Sequence, residues 1–230
     1  MNCVRPPTEA ESTQVSELIL LSDCGLLTAL FGARAGALLT HLQTRPRNPY
    51  SGEHTLVIAE DRDDPRRPPL FSALRDVGEG SSGAPGKEGG PSASPVVGAL
   101  VASLGREMRA ERLPAAHLFF QWYGAGLAAR LPFLARAERA LSEIGASDYY
   151  VSNIALLPES RRRGLGRQLL DAGKARAREL GAERLVLDVE EHNEGARAFY
   201  LHQGFAEERP LLVDLGRGRR FVFRRLSKVL

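Results

Sequence analysis

Cysteine is nearly absent from this chain. Its 230 residues contain two, Cys3 and Cys24, too few for a disulfide framework and wrongly spaced for a structural metal site. No metal is therefore expected, and a reducing compartment is the natural setting. An N-terminal leader pattern is lacking too. Arg5, Pro6, Pro7, Glu9 and Glu11 stand where an apolar run would be needed, so a cytoplasmic location is expected. Long hydrophobic runs are missing. The longest, Cys24 to Leu42, is broken by Arg34 and three glycines; it reads as a buried or amphipathic helix, and no membrane partner is expected. Net charge is only +3, without the dense basic stripe and interleaved aromatics of a nucleic-acid binder, so no nucleic acid is expected. There is no Gly-x-x-x-x-Gly-Lys-(Ser/Thr) loop and no third glycine of a dinucleotide turn, which argues against a nucleotide-binding protein. No internal repeat is present.

What remains is a chain with 43% hydrophobic residues, enough for a sizeable core, read as one domain over residues 1–230. Its most informative segment is Arg161-Arg162-Arg163-Gly164-Leu165-Gly166. Upstream, Tyr149 to Leu157 is β-branched and aromatic and ends at Pro158, the signature of a buried strand. Downstream, Leu165, Leu169, Ala172, Gly173, Ala177 and Leu180 recur at helical spacing until Gly181. A glycine-rich turn between strand and helix presents successive N–H groups and the positive end of a helix dipole, which suits a pyrophosphate. Arginines there can add charge-assisted hydrogen bonds. A solvated helix start is the ordinary alternative. Arg184 to Val189 then reads as a strand, and Glu194 to Gln203 as a helix with Asn193 as N-cap and Gly204 as C′ residue.

Elsewhere, Cys3–Val4 suggests a short strand. Glu9 to Ser22 and Asp23 to Gln43 suggest two helices. His54 to Glu60 and Val96 to Leu104 suggest paired strands. Between that pair, residues 61–95 are rich in Pro, Gly, Ser, Asp and Arg and cannot bury enough apolar surface to offset their ordering entropy; a disordered insertion within a β-hairpin is expected. Leu113 to Ile144 reads as helical, interrupted at Gly124 to Gly126 and at Pro132. Phe205 to Leu215 and Arg220 to Leu226 read as two antiparallel strands joined near Gly216 and Gly218. The arginines Arg217, Arg219, Arg220, Arg224 and Arg225 read as a solvated face of this last hairpin.

Two motifs in order, the Arg-x-x-Gly-x-Gly turn and the set Asn193, Tyr200, Gly204 and Phe205, resemble the core of the GNAT acetyltransferase superfamily. The resemblance is tight from Asn153 to Phe205. It implies the α/β GNAT acyl-CoA N-acyltransferase fold: a mixed, mostly antiparallel sheet flanked by helices and split where the cofactor enters. It implies acetyl-CoA as co-substrate, with its pantetheine arm along Ile154, Ala155 and Leu156. Its pyrophosphate would lie on Arg161, Arg162, Arg163, Gly164, Leu165, Gly166 and Arg167, and Asn193 would be nearby. The implied activity is transfer of an acetyl group to a primary amine, carried by a small molecule or a protein, by direct attack. The acceptor itself is not identified, and a homodimer is left open. A non-catalytic acyl-CoA-binding regulatory protein on the same fold is the alternative. The helical stretch 106–147 becomes an insertion near the acceptor site. Its His117, Phe119, Phe120, Trp122 and Tyr123 read as core, or else as a lid.

Two side chains are the implied catalytic candidates. Tyr200 would contact the CoA sulfur, with core packing as its other reading. In ribosomal-protein alanine acetyltransferases a Glu lies five residues before the motif Asn, and the matching residue here is Asp188. An ammonium acceptor, with a reference pKa of about 10, needs a base before it can attack. Glu190 and Glu191 are rivals for that task. The position at the start of the preceding strand, where some histone acetyltransferases carry their base, is Tyr150 here.

Overall fold

The computed structural model describes residues 3–59, 95–141, 143–216 and 218–230. Seven strands form one open sheet in the order β1-β2-β3-β4-β5-β7-β6. They are β1 Cys3–Arg5, β2 Thr55–Ala59, β3 Val96–Leu104, β4 Asp148–Leu156, β5 Arg184–Glu190, β6 Ala206–Gly216 and β7 Arg219–Val229. Every neighbouring pair is antiparallel except β4–β5. This is the mixed, mostly antiparallel sheet expected from the sequence. The strands read at 54–60 and 96–104 do pair, from Thr55↔Val101 to Ala59↔Val96. The insertion expected at 61–95 lies, apart from Pro95, outside the described residues.

Alternation along the strands sorts side chains to two faces. One face presents Val57, Ala99, Val101, Ala155 and Val213. Packed there are α1 Ser12–Ser22, α2 Leu26–Phe31 and α3 Ala35–Gln43, and further along the chain, after a short helix α4 Gly105–Ala110 that follows β3, α5 Arg112–Tyr123 and α6 Leu131–Leu141. The other face presents Ile58, Leu100, Val151, Leu187 and Leu226 to α7 Leu165–Glu179 and α8 Glu194–His202. At Gly173 of α7 an added Cβ would stand 3.0 Å from Leu100 Cδ1, so glycine there lets the helix lie close on the sheet. No single helix among the described residues is long and apolar enough to cross a membrane; the apolar sides of α1 to α3 are buried in the core.

Two helical expectations need correction. Asp23 to Gln43 is not one helix: it breaks at Gly25 and again at a 3-10 turn, Gly32–Arg34. Both glycines take positive φ, +93° and +77°, and the Asp23 carboxylate accepts the N–H groups of Gly25 and Leu27, each at 3.0 Å. A side chain that bonds the following backbone in this way starts a new helix. Pro132 does not interrupt a helix; it sits in the first turn of α6, where a missing N–H is tolerated. The break around Gly124 is present as a 3-10 stretch, Gly124–Ala129. Phe119, Trp122 and Tyr123 pack against the core, while Phe120 remains 59% exposed.

The first strand is tied to α1 by one carboxylate. Glu11 is buried and accepts Arg5 Nη1 at 2.8 Å, Arg5 Nη2 at 2.6 Å and the Thr8 N–H at 2.7 Å. The Arg5 hydrogen bonds hold its pKa down at about 2. A depressed folded-state pKa adds stability above the ordinary value, and that stability is lost as pH falls through the folded value. Glu11→Gln is expected to cost about 2 kcal/mol near neutral pH, allowing for the partly exposed Arg5. The difference from the parent should shrink as pH drops from about 4.5 towards 2. Urea midpoints of both proteins across that window check it; a constant difference would reject it.

Candidate active site

The parallel β4–β5 ladder is short. Its rungs are Asp148↔Arg184, Tyr149↔Leu185, Tyr150↔Val186 and Val151↔Leu187. Beyond Val151 and Leu187, β4 runs on to Leu156 and β5 to Glu190 with no rung between them. The register of β4 on β3 slips at the same place, between the pairs Val101↔Asn153 and Ala102↔Val151, so Ser152 is an extra residue. A bulge bends a strand and increases its twist. Here it coincides with the opening of a fork. Ile154, Ala155 and Leu156 line one arm of the fork, held from behind by β3 and by the Leu157 N–H on Val97 O at 2.9 Å.

The glycine turn begins at Arg161, with four residues between it and the end of that arm, and runs into α7. Arg162 takes φ +58° and Gly164 φ +80°. Gly164 is the N-cap of α7 and has no side chain to accept its first N–H groups. Leu165, Gly166 and Arg167 are the first three helical residues, whose N–H groups lie too early in the helix to bond back along it. A Cβ placed on Gly164 would meet nothing within 4 Å, and one on Gly166 would stand 3.4 Å from Leu156 Cδ1 and 3.7 Å from Phe199. Leu165 is buried in the core, so its contribution here is its backbone. Ser160, just ahead of the turn, is buried and its hydroxyl has no protein partner. Arg161 Nε donates to Leu156 O at 3.3 Å, and Arg167 lies 3.5 Å from Asp171. Arg161, Arg162 and Arg167 are exposed, and Arg163 is half-buried. Unfilled donors, a helix N-terminus and several arginines beside an open strand edge form a donor set that fits a pyrophosphate with an extended arm.

On the α7–α8 face, Tyr200 belongs to the core cluster that contains Val151, Leu187 and Val189, the residues at the root of the fork. Its ring packs edge-on against Phe199 at 5.1 Å and Phe205 at 5.6 Å. Burial pushes its phenol above the usual range, which keeps the hydroxyl protonated and able to donate. Asn193 is a cap: its Oδ1 accepts the Ala196 N–H at 3.1 Å.

The opposite face of the fork carries Asp188 and Glu190, and of the three carboxylates read from the sequence Asp188 and Glu191 are paired. Asp188 is buried; its Oδ1 accepts Arg225 Nε at 2.8 Å and its Oδ2 accepts Arg225 Nη2 at 2.9 Å and the Tyr150 hydroxyl at 3.1 Å. Glu191 is paired with Arg224 at 2.7 Å. Glu190, half-buried at the end of β5, makes no ion pair among the described residues. Cys24, in the α1–α2 connection, is close enough to Asp23 and Glu190 to feel both charges; burial and those carboxylates push its thiol up to about 11. Asn153 donates to Ser22 Oγ at 3.3 Å, joining the end of α1 to β4.

The solvated face read for the last hairpin is wrong for Arg225, which is 1% exposed. Antiparallel register sets it directly opposite Asp188. The sequence signal was alternation: Phe221, Phe223 and Arg225 fall on one face of β7, together with core residues. Tyr150, which stands where some histone acetyltransferases carry their base, belongs to the same network. Among the described residues no group of three or more His, Cys, Asp and Glu side chains is placed to hold a metal.

Replacing Asn193 with Ala should cost about 1 kcal/mol by removing the α8 cap. Thermal unfolding of the variant measures it, and an unchanged melting temperature would show that water replaces the cap.

Comparison with known proteins agrees with this geometry. Residues 110–205 match the family model described as the acetyltransferase (GNAT) family. A curated relative, the uncharacterized N-acetyltransferase YhfO of Bacillus subtilis (strain 168), is 37% identical over 60 residues, which are 26% of this chain and 40% of that one. The chain thus aligns with about two fifths of that relative's length. Among solved structures, an N-acetyltransferase from Staphylococcus aureus Mu50 superposes with a TM-score of 0.62 at 14% identity, covering 98% of this chain and 100% of that one. The protein named SsHAT superposes with a TM-score of 0.57 at 20% identity, covering 99% and 98%. Such low identities speak for the fold, whereas the family model and the relative speak for the sequence. Over residues 110–205 the chain is thus similar to the GNAT family of acetyltransferases, and its fold is similar to that of the acetyltransferase from Staphylococcus aureus Mu50.

Proposed function

We propose that this chain moves an acetyl group from acetyl-CoA to a primary amine by direct attack of the amine on the thioester. The observation that carries the reading is the fork between β4 and β5, opening beside the uncapped N-terminus of α7. The backbone of Leu165, Gly166 and Arg167 and the flanking arginines would hold the pyrophosphate, and Ile154 to Leu156 would hold the pantetheine arm. When bound, acetyl-CoA supplies an activated acyl group. In the reaction the new C–N bond forms as the C–S bond breaks, with no acyl group passing through the protein.

Two proton movements fall to side chains. The amine reaches the site as an ammonium and must lose a proton. Glu190 is the carboxylate best placed to take it, directly or through water, because Asp188 and Glu191 are held by arginines. Tyr200 would meet the departing thiolate. A phenol donates a hydrogen bond to a thiolate, and burial of Tyr200 in an apolar cluster removes competing water. The positive end of α7 and nearby arginines would help to balance the phosphate charge.

Gly164→Ala tests the donor site. The left-handed backbone should cost about 1 kcal/mol of stability. Because the space at its Cβ is open in the protein alone, any larger effect must come from the ligand: acetyl-CoA affinity is expected to fall at least about 10-fold. Calorimetry on the folded variant decides, and unchanged affinity would remove the turn from the donor site.

Tyr200→Phe tests the acid. It should lower kcat by roughly 10-fold to 1,000-fold with acetyl-CoA affinity within a few-fold. Free CoA release with a panel of amines gives kcat. An unchanged kcat with chemistry rate-limiting would assign Tyr200 to packing alone. If the parent protein binds acetyl-CoA but releases no CoA with any amine, the transfer reading itself fails and a binding role is left.

A further inference from the structure

We infer that Tyr150, Asp188 and Arg225 form a positioning lock at the root of the β4–β5 fork, an inference that rests on the acetyl-transfer reading above, and that Asp188 serves transfer through this lock and not as the proton acceptor.

The hydrogen bonding of Asp188 is the first reason. Two oxygens offer about four acceptor sites, and three donors fill most of them: Nε and Nη2 of Arg225 and the Tyr150 hydroxyl. Both charged side chains are almost completely buried. If Asp188 took a proton it would lose the charge that offsets Arg225, and an uncompensated buried guanidinium is unfavourable. Arg225 also donates Nη1 to Glu143 O at 3.0 Å, so the segment entering β4 depends on the same ion pair.

The place of the lock is the second reason. Tyr150 belongs to the third rung of the four-rung ladder, and Asp188 is the first β5 residue beyond the last rung. The hydroxyl therefore spans the final rung diagonally, on the face opposite α7 and α8. Asp188 is held from β7 by Arg225, its direct cross-strand neighbour. At the other end of the ladder, Asp148 and Arg184 form a second clamp, with contacts of 2.7 and 3.0 Å. Side-chain clamps thus bracket the whole parallel segment. The point where β4 and β5 part is fixed by these groups as well as by the bulge at Ser152. That point sets where a thioester between the strands meets an amine, and displacements near 1 Å at a reacting centre cost rates of about 100-fold.

Other charged or titratable groups lie near. Tyr50, from the segment before β2, and Asp188 both act on Tyr150 electrostatically, and Asp23 acts on Tyr50. A pH profile must be read with these in mind.

Tyr150→Phe in the full chain separates the possibilities, because it removes the tether and leaves the Asp188–Arg225 pair intact. Expected results are a fall in kcat of about 10-fold, acetyl-CoA affinity by calorimetry within about threefold, and amide hydrogen exchange at residues 150–151 and 186–189 faster by at least about 10-fold. The acid limb of kcat/KM should stay in place. If Asp188 were the base, losing a hydrogen bond that favours its charged form would move that limb upward; such a shift overturns the inference. Unchanged exchange with unchanged kcat overturns it as well. Asp188→Asn is the second variant: faster exchange at the same amides supports the lock, whereas lost activity with unchanged exchange restores Asp188 as the base. Should the parent protein show no turnover, the transfer reading fails, and exchange and acetyl-CoA affinity still decide whether the lock exists.

Discussion

The four-rung parallel ladder between β4 and β5 is the constraint on which the rest of the structure depends. Every other strand pair is antiparallel and can be joined by a local turn. A parallel pair cannot; it needs a crossover. That crossover is the glycine turn and α7, so the demand for one parallel pair places a helix N-terminus beside the ends of these strands. The ladder is also short, because β4 bulges at Ser152 and both strands continue past their last rung. An opening in a sheet leaves backbone groups exposed, a liability unless something else occupies it. The opening and the glycine turn beside it thus arise from one topological choice.

The two faces of the sheet take different burdens around this opening. The α7–α8 face is apolar at the root of the fork: Val151, Leu187, Val189 and Tyr200 share one cluster. The other face is charged, with Asp188, Arg225, Glu190 and the α1–α2 connection close together. β-alternation alone produces this division, since Leu187 and Val189 fall on one side of β5 and Asp188 and Glu190 on the other. The charged face is partly neutralised by its own arginines. Where carboxylate and guanidinium are both buried, as in Asp188 and Arg225, the pair is a fixed structural element. Glu190, half-buried at the end of β5, has no such arginine partner among the described residues.

Much of this was legible in the sequence because it is local. Strand β3 matches its expected bounds, and the turn at Gly164 and the cap at Asn193 are encoded within a few residues of where they act. The separation of α1 from α2 was legible at Ser22, whereas the break at Gly32 was less so, since Leu26, Leu30, Leu38 and Leu42 continue a helical rhythm across it. Arg225 was not legible at all. In sequence it is one of several arginines near the C-terminus, and only the register of β7 on β5 brings it under the sheet opposite Asp188. Asp188 could be read as a candidate base from its spacing to Asn193. The partner that occupies it lies 37 residues away, and no local pattern announces that distance.

The motif residues each have structural work independent of any ligand, and this bears on how far a motif speaks for chemistry. Asn193 caps α8. Gly204 ends it at φ +81°, with its N–H on Leu201 O at 2.9 Å and the Phe205 N–H on Tyr200 O at 3.1 Å, a helix-ending arrangement that a left-handed glycine permits. Phe205 and Tyr200 stack edge-to-face in the core. These four residues would be needed to build α8 even in a protein with no active site. The turn differs. At Gly164 the positive φ satisfies the backbone, yet the space around its missing Cβ is empty in the protein itself, and its bare N-cap leaves helix donors without a side-chain acceptor. Folding alone would favour Asn or Asp at such a cap, whose side chains supply that acceptor. Choosing glycine gives up that stabilising bond in the free protein and leaves the first N–H groups of α7 open to an acceptor from outside the chain.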